Sequence, residues 1–138
     1  MRPDQPILIV DDDQVDVITL KRAIHDVGLT NILPHADNGE EALRFLRDHK
    51  NRLPSLILLD LNMPIMNGIE FMKEVKSDET LKIIPVVVLT TSKDEMDKLD
   101  SFKNGAAGYM IKPVDYNQFV ELLRVIVSYW STSELPSQ

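Results

Sequence analysis

The sequence contains no cysteine, which removes both a disulfide framework and any thiolate metal site. Long apolar runs are missing too: nothing approaches the roughly 18 residues that a membrane span needs. The opening stretch, MRPDQPILIVDDD, offers four consecutive apolar residues, too few for a signal peptide. The expectation is therefore a soluble, cytoplasmic protein with no membrane partner. Basic residues are in deficit, 15 Lys and Arg against 22 Asp and Glu, for a net charge of -7. Phosphate backbones select basic patches, so no nucleic-acid partner is expected, and 138 residues leave no room for an appended DNA-binding domain. His25, His35 and His49 lack metal-ligand spacing and read as structural or surface residues.

What is present suits one globular domain over residues 1–138, with 43% hydrophobic and 27% charged residues. Its core is expected at about 5–130, with STSELPSQ (131–138) as a flexible tail. Two kinds of segment alternate. Short apolar runs at Ile7–Val10, Leu56–Leu59 and Val86–Leu89 have the length and composition of buried strands. Weaker candidates lie near Asn31–Ala36 and Ala107–Ile111. Between them the apolar residues recur at helical spacing: Val17, Leu20, Ile24 and Val27, closed by Gly28, in the first helix. Met72 and Val75 give the third helix an inner face. Met96, Leu99 and Phe102 give one to the fourth, which stops at Gly105, and Phe119, Leu122 and Ile126 to the fifth. The pairs Asn38 with Glu41, Ser92 with Glu95, and Asp115 with Gln118 read as helix N-terminal capping boxes. Five successive β-α units imply an α/β fold, a parallel sheet covered by helices on both faces. Pro34 puts the second strand at an edge.

In such sheets the chemistry collects at the carboxyl ends of the strands. The first run is followed by Asp11, Asp12 and Asp13, the third by Asp60, the fourth by Thr90, Thr91 and Ser92, and the fifth by Lys112 and Pro113. Acids brought side by side from two strands repel unless a cation joins them, and hard oxygen ligands favour Mg²⁺. A carboxylate beside that ion can act as a nucleophile toward phosphorus. The Thr90 hydroxyl and the Lys112 ammonium could then neutralise oxygens of a transferred phosphoryl group. Asp13 reads as a cap for the first helix rather than a ligand.

The set ILIVDDD, LILLDLNMPIMNG, PVVVLTTS and GYMIKP resembles the receiver domain of two-component response regulators, over roughly residues 5–130. The resemblance implies a flavodoxin-like, doubly wound five-stranded sheet in the order 2-1-3-4-5. It implies Asp60 as phosphoacceptor, with Asp11, Asp12, Asp60 and the Asn62 carbonyl as Mg²⁺ ligands. Thr90 would be the switch hydroxyl, Tyr109 the aromatic that reports activation, Lys112 the phosphoryl contact, and Lys112–Pro113 a cis bond. The donor would be a sensor histidine kinase, with small acyl phosphates as substitutes, and the chain a signalling switch that carries out only self-catalysed transfer and slow autodephosphorylation. LILLDLN, IPVVVLTTS and the pair Tyr129–Trp130 resemble more narrowly the stand-alone regulators paired with bacterial phytochromes. Thr91 departs from the small residue common beside the switch hydroxyl.

Two alternatives stand beside this reading. One is a receiver-like docking module that is never phosphorylated. The other is a dehalogenase-type phosphohydrolase, but such enzymes usually carry a second acid two residues after the nucleophile, where this chain has Asn62. The fifth helix is apolar around more of its circumference than one buried face needs. Val120, Val127 and Trp130 are candidates for a homodimer or partner contact on the face of helix 4, strand 5 and helix 5.

Overall fold

The apolar runs form the strands, because each has room to bury both faces. In the computed structural model, which describes residues 4–136, β1 (Ile7–Val10), β3 (Leu56–Leu59) and β4 (Val86–Thr90) are buried at every position. β2 (His35–Ala36) and β5 (Gly108–Ile111) complete a parallel sheet in the order β2-β1-β3-β4-β5. The edge position expected for the second strand is met. Pro34 has no N–H to offer, but its carbonyl accepts from Ile9 and so extends the β1 pairing.

Side chains alternate along each strand, so the sheet carries two cores. Ile7, Ile9, Leu56, Leu58, Val87 and Leu89 pack beneath α1 (Gln14–Asp26) and α5 (Tyr116–Thr132). Leu8, Val10, Ile57, Leu59, Val86 and Val88 pack beneath α2 (Gly39–Arg47) and α3 (Gly68–Ser77). The latter is followed by one 3₁₀ turn at Leu81–Ile83. Fully burying one such side chain is worth about 1.5–3 kcal/mol, and the whole effect is to hold four strand ends rigidly at one rim. Gly28 and Gly105 take the positive φ expected of helix stops. The fifth helix runs two residues into the stretch expected to be a tail, and positions 137 and 138 of that stretch lie outside the described residues.

Several local expectations are corrected. Met96, Leu99 and Phe102 are not the inner face of α4 (Glu95–Lys103): they are 60%, 46% and 54% exposed. The one buried residue of α4 is Ser101, whose small side chain lets the helix sit close to a half-buried edge strand. That strand is too narrow a floor for three large side chains. Ser92 does not cap α4. Asp94 does, accepting from the Met96 N–H, while the Ser92 hydroxyl donates to Asp97 at 2.6 Å. In α5 the buried residues are Phe119, Leu123 and Ile126, and Leu122 is only half-buried. Val120, Val127 and Trp130 are half-buried as well. The open apolar positions are Val125 and Tyr129, because the helix is rotated to seat Leu123 against the sheet.

Candidate functional site

Register decides what the strand ends deliver. Val10 pairs with Leu59, so the next residues, Asp11 and Asp60, emerge side by side. The Asp60 N–H donates to the Val10 carbonyl at 2.9 Å, which pins the carboxylate's backbone to β1. Thr90 pairs with Ile111, and the Lys112 N–H donates to the Thr90 carbonyl at 2.8 Å, bringing the lysine to the same rim. Behind Asp60 the chain closes on itself. The Gly68 N–H donates to the Leu61 carbonyl, and a Cβ on Gly68 would stand 2.6 Å from the Asp60 carbonyl oxygen. Only glycine fits there.

Carboxylate oxygens of Asp11, Asp12 and Asp60 lie within 4.8 Å of one another. Asp11 is buried, Asp60 half-buried and Asp12 exposed. Burial drives the Asp60 carboxyl up from 3.8 to about 6; Lys112 opposes this, Asp11 adds to it, and the Leu61 N–H and the Thr90 hydroxyl oppose it. Three hard oxygen donors converging from two strands, with one donor residue open to solvent, suit a small divalent cation of the Mg²⁺ or Mn²⁺ kind. Asn62 is exposed two residues beyond Asp60, on the same loop.

Lys112 is 7% exposed at its side chain, and its Nζ donates to Asp11 Oδ2 at 2.8 Å and to Asp16 Oδ2 at 2.9 Å. Burial works against the ammonium, but the hydrogen bonds to Asp11 and Asp16, with the nearby charges of Asp60 and Asp11, outweigh it and raise its pKa above the ordinary value. Among the described residues it has no ion pair with Asp60. The Lys112–Pro113 bond is trans, not the cis bond expected, since no described peptide bond is cis. The trans form is favoured intrinsically by about 0.5–1 kcal/mol at X-Pro, and from it Lys112 already reaches both acids.

Thr90 is fully buried, and its Oγ1 accepts from the Ser92 N–H at 3.3 Å. The Ser92 carbonyl accepts from the Tyr109 hydroxyl at 2.9 Å. Ser92 thus ties the hydroxyl at the site to the aromatic on β5, whose ring packs half-buried against the α2–α3 core. Asp13 caps α1, accepting from the Val15 and Asp16 N–H groups, as expected.

Two contacts escaped the sequence reading. Asp16, in the first turn of α1, is the second acid on Lys112. Its signal was an acid in the first turn of a helix that begins at the site rim. His35 is structural: its Nε2 lies 2.7 Å from the Asp11 carbonyl, which can only accept, so that nitrogen carries the hydrogen. No helix among the described residues is long and apolar enough to cross a membrane.

A family model for the response regulator receiver domain matches residues 7–124. The response regulator Rcp1 of Synechocystis sp. is 35% identical over 144 residues, covering 98% of this chain and 95% of its own. The solved structure of the phosphorylated cyanobacterial phytochrome response regulator RcpA superposes with a TM-score of 0.89 at 36% identity, covering 97% of this chain and 99% of that one. The Mn²⁺-bound form of Rcp1 gives a TM-score of 0.87 at 33% identity, covering 96% and 99%.

Proposed function

The chain belongs to the response regulator receiver domain family, and from that premise we propose that Asp60 accepts a phosphoryl group from a phosphohistidine of a sensor histidine kinase. One observation carries the reading. A half-buried carboxylate stands within 4.8 Å of two others at the rim where Thr90 and Lys112 also emerge. An oxygen of Asp60 attacks phosphorus. The bond from phosphorus to the donor nitrogen breaks, its electron pair stays on the imidazole, and an acyl phosphate forms. Asp11, Asp12, Asp60 and the Asn62 carbonyl would hold Mg²⁺, which supplies positive charge against the carboxylates and the phosphoryl oxygens. The Lys112 ammonium donates to a phosphoryl oxygen. Thr90 accepts from Ser92 and keeps its own hydrogen for another.

Drawing Thr90 toward the phosphoryl group shifts Ser92, and Ser92 holds the Tyr109 hydroxyl. The signal therefore leaves through β5 and α4 as a shift between two populations. Exposed apolar residues at the rim, Val15 and Ile18 on α1, Ile65 after β3 and Val114 before α5, favour a protein donor over a small one. Similarity to regulators named for phytochromes supports a kinase of that type. Met96, Leu99 and Phe102, with Val125 and Tyr129, supply the surface for a homodimer.

Acetyl phosphate with Mg²⁺ should yield one phosphoryl adduct by intact mass, absent in Asp60→Ala and in a chelated sample, and lost with time by slow autodephosphorylation. No adduct, together with no binding of beryllofluoride, refutes the phosphoacceptor role and leaves a docking module.

A further inference from the structure

Two acids hold the lysine at the rim, and one of them lies outside the carboxylate cluster. Lys112 Nζ is 2.8 Å from Asp11 Oδ2 and 2.9 Å from Asp16 Oδ2, while the converging carboxylates are those of Asp11, Asp12 and Asp60. The two anions of Lys112 therefore differ in kind. Asp11 Oδ1 already accepts from the Asp13 N–H at 2.9 Å and Oδ2 from Lys112, so a cation recruiting Asp11 draws on charge those two donors already share and weakens its hold on Lys112. Asp16 faces no such competition. Its backbone N–H is fixed by the Asp13 cap at 3.1 Å, on the first turn of a helix whose buried face seats it firmly.

An ammonium has three N–H donors on a flexible four-carbon stem. Two are engaged here, and no ion pair to Asp60 is formed. We propose that Asp16 is the positioning residue of Lys112: it keeps the ammonium at the rim when Asp11 turns to a cation, and leaves an N–H free for the phosphoryl oxygen. Asp16 itself touches neither Asp60 nor the transferred group. This rests on the phosphoacceptor reading above and adds a sixth side chain to its machinery.

The test compares the wild type with Asp16→Asn, Asp16→Glu, Lys112→Met and the double variant Asp16→Asn/Lys112→Met, with thermal melts confirming that each is folded. With acetyl phosphate and saturating Mg²⁺, Asp16→Asn should lower the maximal phosphorylation rate about tenfold or more, and Asp16→Glu should restore part of it. The double variant should be no slower than Lys112→Met, because Asp16 then has nothing to hold. In metal-free protein, the ε-methylene NMR resonances of Lys112 should move toward those of a solvated lysine in Asp16→Asn. The proposal is overturned if Asp16→Asn phosphorylates within twofold of the wild type, if its defect persists in the Lys112→Met background, or if the Lys112 resonances stay in place. A wild type that neither forms an adduct nor binds beryllofluoride overturns the phosphoacceptor reading and this inference with it; a wild type that does either separates the two, the Lys112 resonances testing the inference alone.

Discussion

Replacing Asp60 by asparagine should make the protein more stable at neutral pH, even as it removes the proposed function. Burial raises the Asp60 carboxyl from 3.8 to about 6, so folding binds a proton there between those values. A group whose folded pKa is raised contributes stability below its unfolded value and loses it as pH rises through the folded one. At pH 8 both states are ionised, and only the folded state carries the cost of a desolvated charge beside Asp11. A shift from 3.8 to about 6 corresponds to about 3 kcal/mol; partial solvent screening at this half-buried group reduces that to about 2 kcal/mol. The amide carries no charge and escapes the penalty. Urea unfolding of both proteins, metal-free, from pH 4 to 8 isolates Asp60 and the groups coupled to it, Asp11 and Lys112, because carboxylates that do not interact with Asp60 cancel in the difference. Asp60→Asn should gain about 2 kcal/mol on the wild type at pH 8, and the gain should shrink across pH 6 to 4. A difference independent of pH, or a variant less stable at pH 8, refutes the reasoning.

Ile65 is the one described non-glycine residue with positive φ, at 67°, and it is 76% exposed. A β-branched residue is strained there, so Ile65→Asn should raise stability by about 1 kcal/mol, or roughly 3–5 °C in Tm, read by thermal melts. On the proposed dimer face, Leu99→Glu with Phe102→Glu should abolish self-association seen by sedimentation, at little cost to the fold because both side chains are exposed. A monomer in the wild type, with and without beryllofluoride, removes the dimer reading.

The strands were legible because a doubly covered sheet writes itself as unbroken apolar runs, as in Leu56–Leu59. Most of the site was legible because each run ends in polar residues at the same rim. The orientation of α4 was not. Met96, Leu99 and Phe102 have the spacing of a buried stripe, but spacing says only that residues share a face, not which face turns inward. A single serine, Ser101, decided it by letting the helix approach. Asp94 took the capping role expected of Ser92, since both can accept from a helix N-terminus. Asp16 was one acid among 22 Asp and Glu, and its meaning came only from a lysine 96 positions away.

The central claim is that the phosphoryl group sits on Asp60, and residue-level mapping tests it most directly. Borohydride reduces an acyl phosphate to an alcohol, and trypsin should release residues 53–73, a peptide in which Asp60 is the only aspartate. After treatment with acetyl phosphate and Mg²⁺, the account predicts conversion of Asp60 to homoserine in that peptide and of no other residue. Reduction at Asp11 or Asp12, or an adduct confined to serine or threonine, would contradict it.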